Sequence, residues 1–307
     1  MKVAAIQMVS TASLQANLTA ARELLVQAAA AGAELAVLPE YFCLMGLKDT
    51  DKLPYAESPG AGPIQDFLSH CASELRLWIA GGTLPLQTDA TAATQSQVFN
   101  STLVYRPDGQ CMARYDKVHL FRFDNGAERF DEANVIRPGS QSVSFDLASV
   151  DGHTYRVGLS ICYDLRFPEL YRALQADLLL VPSAFTFTTG LAHWEILLRA
   201  RAIENLAYVL APAQGGLHEN GRRTWGHSMA VDPWGQILAQ RDQSEQGAGV
   251  VLAEITKLQL DAHRTRLPAL EHRAFAAAQS AAAAAAGAVA GAVAGAAPAA
   301  PLRAVLS

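Results

Sequence analysis

The sequence lacks any sign of disulfide or metal chemistry. Its 4 cysteines (Cys43, Cys71, Cys111 and Cys162) form no CxxC pair, and its 8 histidines fall without an HExxH-like pattern. A chain of 307 residues is long enough to bury a core without covalent staples. Reduced thiols in a cytoplasmic protein are therefore expected, with no metal site. A basic stripe is missing too: 24 Lys and Arg stand against 29 Asp and Glu, and Arg222-Arg223 is the longest basic run beside a motif. Nucleic acid is not an expected partner. Residues 1–8 carry one charge and an apolar run too short for a signal peptide, so they predict a buried first strand. Residues 274–307 are rich in Ala and Gly and poor in large apolar side chains. They predict a disordered low-complexity tail that neither packs nor spans a bilayer, and no membrane partner is expected.

What is present is half hydrophobic by count and only 17% charged, the composition of a globular protein. Strand and helix patterns alternate. Leu14, Leu18, Ala21, Leu25 and Ala28 recur at helical spacing before Gly32. Short apolar runs at 3–8, 35–38, 78–80, 155–161, 178–181 and 208–211 predict buried strands, and 65–75, 168–174 and 194–206 predict helices. Pro107-Asp108-Gly109 predicts a hairpin between strands at 99–105 and 110–115, and Asp151-Gly152 a second. Further strands are predicted at 227–231, 236–239 and 250–253, with Pro233-Trp234-Gly235 as a turn. This mixture implies an α/β fold with antiparallel portions and two sheets packed face to face.

Three polar residues sit where strands end. Cys162 closes the apolar run of Val157-Gly158-Leu159-Ser160-Ile161, and Pro168 is placed for the first turn of a helix. A thiol on such a corner is expected to be exposed at the sheet's end, where helix N-termini favour the reactive thiolate. A buried, inert core thiol is the bland alternative, and it suits Cys43, Cys71 and Cys111 better. Glu40 follows one buried strand and Lys117 another. Each alone is most simply a surface charge; together they supply a proton acceptor and a cation for a nucleophilic cysteine.

Leu38-Pro39-Glu40, Asp116-Lys117-Val118-His119-Leu120 and Ile161-Cys162-Tyr163-Asp164-Leu165-Arg166-Phe167-Pro168-Glu169 resemble, in order, the signature blocks of the nitrilase (carbon–nitrogen hydrolase) superfamily. The likeness covers residues 1–273. It implies a four-layer α-β-β-α sandwich, a Glu40–Lys117–Cys162 triad, homodimers or higher homo-oligomers, and no cofactor. Glu132 resembles the family's auxiliary glutamate, with Glu128 close by as an alternative. In the implied chemistry Cys162 attacks the carbonyl carbon of a small-molecule amide. Lys117 and the Tyr163 N–H hold the oxyanion, ammonia leaves with a proton from Glu40 to give a thioester, and water then releases the acid.

Ala192-His193-Trp194-Glu195 and Gly226-His227-Ser228-Met229-Ala230-Val231-Asp232-Pro233-Trp234-Gly235 resemble the Nit-type branch, which contains deaminated glutathione amidases and ω-amidases acting on 2-oxoglutaramate-like compounds. The wording is closer to the former. Arg166 is a candidate grip for a substrate carboxylate, against a structural ion pair with Glu169 or Glu195. Thr186, Thr188 and Thr189 are candidates to line the same pocket. Arg199 and Arg201 are expected to be salt-bridged supports. An N-carbamoyl substrate, or a silent metabolite-binding protein on the same scaffold, are the competing readings.

Overall fold

Val3 and Ala5 leave the first strand on one side and Ala4 and Ile6 on the other, and all four are fully buried, so this strand needs cover on both faces. The computed structural model describes residues 1–88, 96–124, 126, 129–242 and 247–273. Within the compact unit Met1–Arg266 the strands run β1 (Lys2–Gln7), β2 (Leu35–Val37), β3 (Trp78–Ala80), β4 (Leu84–Gln87), β5 (Val98–Tyr105) and β6 (Cys111–Asp116), then a short hairpin of β7 (Arg122–Asp124) and β8 (Arg129–Asp131). There follow β9 (Ser144–Ala148), β10 (Thr154–Leu159), β11 (Leu178–Leu180), β12 (Tyr208–Ala211), β13 (Gly215–Leu217), β14 (Arg223–Trp225), β15 (Met229–Val231), β16 (Ile237–Gln240) and β17 (Gly249–Glu254). The helices are α1 (Leu14–Ala30), α2 (Pro63–Leu75), α3 (Pro168–Leu174), α4 (Phe187–Asn205) and α5 (Lys257–Arg266).

One sheet has seven strands in the order β17-β1-β2-β3-β5-β4, with β6 also on β5; the other has six in the order β16-β15-β12-β11-β10-β9. Each sheet is parallel at its centre, β1-β2-β3 in one and β10-β11-β12 in the other, with antiparallel flanks. The period-2 alternation divides the side chains between two cores. Val3, Ala5, Leu35 and Val37 join Val157, Leu159, Leu178 and Leu180 between the sheets. Ala4, Ile6, Ala36 and Ile79 pack instead with Leu25 of α1 and Leu68 of α2. Leu174 of α3 and Trp194 and Leu198 of α4 cover the second sheet. The expected α-β-β-α layering is what forms.

The helix starts follow local chemistry. Ser13 caps α1 by accepting the Ala16 N–H at 3.3 Å, and Pro63 occupies the first turn of α2, where its missing donor costs nothing. Thr186 caps α4, which therefore begins seven residues before the sequence pattern of 194–206. The strand β4, the β7–β8 and β13–β14 hairpins, and helix α5 were also not anticipated. Of the second unit, Leu267–Ser307, residues 267–273 carry turn hydrogen bonds and the expected tail lies outside the described residues. Among the described residues no helix is long and apolar enough to cross a membrane.

Candidate active site

Glu40, Lys117 and Cys162 each lie just past the last residues of β2, β6 and β10. The backbone holds each in place. Leu38 N–H donates to the Ala80 carbonyl at 3.0 Å, and Gly82 follows with φ +52°. A Cβ on Gly82 would collide with the Pro39 carbonyl, so this close approach needs glycine. Lys117 N–H donates to the Asn100 carbonyl at 3.0 Å. Cys162 opens a 3-10 turn over Cys162–Arg166 with φ +46°, a left-handed conformation that costs a non-glycine residue about 1–3 kcal/mol.

Asp164 holds that strained corner. Its fully buried carboxylate accepts the Ile161 N–H at 2.9 Å, the Tyr115 hydroxyl at 2.7 Å and the His119 N–H at 3.0 Å, with His119 Nδ1 at 2.7 Å. The Cys162 block is thereby fixed to the Lys117 block. Arg201 donates twice to the Leu165 carbonyl, at 3.0 and 2.7 Å, and pairs with Glu204, as Arg199 does with Glu195; both are the expected supports.

The charged cluster is closely coordinated. Lys117 Nζ donates to Glu40 Oε1 at 2.8 Å and reaches both oxygens of Glu132 at 2.8–2.9 Å. Glu40 also accepts from Asn100 Nδ2 at 3.0 Å and from the Ala184 N–H at 2.9 Å. Glu132 accepts the Phe121 N–H at 2.7 Å and the Tyr41 hydroxyl at 2.9 Å. The side chains of Lys117, Glu40 and Glu132 are 0%, 1% and 15% exposed, so these bonds have to offset full desolvation. Burial alone would lower the Lys117 pKa, but Glu132 and Glu40 outweigh it and keep the ammonium above its usual value. Burial likewise opposes ionisation of Glu132, and Lys117 prevails, lowering its pKa. Glu132 is placed on Lys117; the alternative, Glu128, lies outside the described residues.

Cys162 differs from expectation. Its residue is 8% exposed, not open at the sheet's end. Burial, and then the Glu40 carboxylate, push the thiol well above its ordinary pKa, although Lys117 and the Ala184 N–H act the other way. The resting group is a thiol beside a carboxylate rather than a thiolate. Cys43 and Cys71 are buried as expected, whereas Cys111, on β6, is exposed.

Cys162 opens on a cleft of about 290 Å³ that Glu40, Glu132, Tyr163, Arg166, Thr186 and Thr189 also line. Thr188 is exposed and not among the cleft residues. The Thr186 and Thr189 hydroxyls lie 2.8 Å apart and bond each other at the start of α4. Arg166 makes no ion pair among the described residues: its Nη2 lies 3.3 Å from His193 Nδ1, and its guanidinium is 5.7 Å from the centres of the Tyr163 and Phe185 rings. Arg222 enters the same cleft and donates to the Ala184 carbonyl at 2.9 Å. Sequence reasoning passed over Asn100, Tyr41 and Asp164. The polar run Asn100-Ser101-Thr102 inside an otherwise apolar strand was a usable signal for the first of them.

A family model described as carbon–nitrogen hydrolase matches residues 2–264. The chain belongs to the carbon–nitrogen hydrolase family. A Synechocystis protein named deaminated glutathione amidase is 42% identical over 282 residues, covering 89% of this chain and 97% of that one. Among solved structures, the Caenorhabditis elegans NitFhit protein is similar with a TM-score of 0.76 and 36% identity, covering 89% of this chain but 65% of that longer one. The Saccharomyces cerevisiae Nit3 protein, a member of branch 10 of the nitrilase superfamily, has a TM-score of 0.76 at 28% identity, covering 87% and 94%. This chain is accordingly a hydrolase of non-peptide carbon–nitrogen bonds, built on the nitrilase fold.

Proposed function

We propose that this amidase hydrolyses the amide of a small carboxylate-bearing substrate, with deaminated glutathione the best fit, through a thioester on Cys162. The observation that carries the reading is the buried Lys117 cation held between Glu40 and Glu132 beside a thiol that opens on the cleft. Glu40 takes the thiol proton as sulfur attacks the carbonyl carbon, so the high thiol pKa is met by a base already in place. Lys117 faces the oxyanion, together with the Tyr163 N–H; such fixed donors typically contribute about 3–4 kcal/mol each. When the carbon–nitrogen bond breaks, Glu40 returns the proton to the departing nitrogen. That nitrogen leaves as ammonia from a primary amide and as the amine of cysteinylglycine from deaminated glutathione. Glu40 then deprotonates a water, which attacks the thioester and restores the thiol. The family resemblance calls for no cofactor, and a nucleophile that must stay reduced fits a cytoplasmic setting.

Mixing the enzyme with deaminated glutathione and quenching early should give a covalent adduct on Cys162 by mass spectrometry, with the acyl group identified by its mass. In steady state, 2-oxoglutarate and cysteinylglycine should accumulate together. Cys162→Ala should abolish both adduct and turnover; undiminished turnover by that variant would refute the thioester route.

A further inference from the structure

A second pocket of about 740 Å³ adjoins the catalytic cleft, and Arg222 is the one described residue that lines both. Among the described residues, four cations face this second pocket (Lys48, Lys52, Arg129 and Arg222) against a single carboxylate, Asp49. Two of them are placed in an unusual way. Arg222 lies 5.2 Å over the Phe130 ring, and its Nε is buried with no partner among the described residues. Lys52 holds its ammonium 4.9 Å over the ring of Tyr41, whose hydroxyl bonds Glu132. Neither makes an ion pair with a carboxylate among the described residues. Burial lowers the Lys52 pKa and outweighs the pull of Asp49 and, beyond it, of Glu132 and Glu40. Leaving two charges so poorly satisfied is costly unless an anion completes the site.

We propose that this pocket is the leaving-group subsite and that Arg222 and Lys52 grip a carboxylate on the departing amine. The proposal rests on the amidase reading above and extends it to the other half of the substrate. Arg166 meets the acyl half in the cleft, and the amine half passes Arg222 into the second pocket. An extended two-residue leaving group spans about 7 Å, enough to carry a terminal carboxylate away from the scissile nitrogen. A peptide-like amine bearing a carboxylate therefore fits, whereas ammonia would leave the pocket unused.

The test compares three substrates on the full-length enzyme: deaminated glutathione, the same compound with its glycine carboxylate converted to a carboxamide, and 2-oxoglutaramate. Wild type should favour the acid over the carboxamide in kcat/KM by about one to two decades, the usual worth of a charge-assisted contact. Lys52→Met and Arg222→Gln should each bring that ratio close to one. Carboxamide turnover within each variant reports an intact fold, and two variants guard against the loss of either. Equal rates for acid and carboxamide in wild type, or a preference that survives both substitutions, would overturn the subsite and leave the amidase reading standing. Equal losses on both compounds would assign Lys52 to holding Tyr41 on Glu132 instead. Turnover of 2-oxoglutaramate alone would remove deaminated glutathione as substrate, and the subsite with it.

Discussion

Lys117 is satisfied by two carboxylates, and that arrangement determines what Cys162 can be. Burial first, and then the Glu40 carboxylate, push the thiol well above its ordinary pKa, against the pull of a lysine already shared with Glu132. Reactivity then has to come from a transfer coupled to attack, for which Glu40 is fixed by Asn100 and the Ala184 N–H. Glu40, Lys117 and Cys162 were legible because each ends a strand within a recognisable block. Asp164, Tyr41 and Asn100 were not, because their roles come from partners far along the chain, such as Tyr115 for Asp164 and Glu132 for Tyr41. Arg166 belongs to this scale. Glu195 is taken by Arg199, so the alternative of a structural pair with it is gone, and the guanidinium faces the cleft. A substrate carboxylate held there contributes about 1.5–3 kcal/mol. Wild type should prefer an acyl-side acid over its methyl ester by one to two decades in kcat/KM. Arg166→Ala should treat them nearly alike, and Arg166→Lys should recover part of the difference, since it keeps charge without the fork. A preference intact in the Ala variant would make Arg166 structural.

At the scale of elements, the central strands were readable because their period and brevity leave little choice, and α3 matched residue for residue. The start of α4 was hidden because Thr188-Thr189-Gly190 looks like a turn until Thr186 is seen capping it. Helix α5 was hidden for another reason: its sequence is polar, and only Leu260 is buried. What holds it is charge. The Asp177 carboxylate accepts from Lys257 Nζ at 2.5 Å, from Arg264 Nη1 at 2.6 Å and from the Arg156 N–H at 3.0 Å. Burial would raise the Asp177 pKa, but Lys257, Arg156 and Arg264 together depress it. A carboxyl with a lower pKa in the folded chain stabilises the fold fully above its unfolded value of about 4 and loses that contribution as pH falls through the folded value. Asp177→Asn should therefore lower stability at pH 7 by about 1–3 kcal/mol. Urea titrations should show the gap to wild type narrowing below about pH 4. A gap unchanged with pH would mean the anchor is not ionic.

At the scale of the whole molecule, the layering leaves one side of α4 uncovered by the described residues. Ile196 and Ile203, two turns apart on the same face, are 69% and 47% exposed, and Trp234 is 49% exposed. Ile203 lies against Gly235, and Arg199 donates to the Gly235 carbonyl at 2.8 Å, so the isoleucine and the Trp234 turn are neighbours on one surface. Scattered apolar residues are ordinary, but two isoleucines on one helix face joined to a tryptophan ask for cover. We propose that a second copy of this chain supplies it, giving a homodimer in which α4 packs near α4 about a two-fold axis. Light scattering with size exclusion should show wild type at twice the chain mass, and Ile196→Lys with Ile203→Lys at the mass of one chain with unchanged circular dichroism. A monomeric wild type, or a double variant that stays dimeric, would defeat the proposal. The consequence for catalysis follows from where α4 begins: its first turn puts Thr189 in the cleft, and its Trp194 is 5.0 Å from Phe185, which lines the cleft too. Loss of the partner should thus loosen the cleft wall and lower kcat along with mass, while a substitution at the exposed but distant Val150 should change neither.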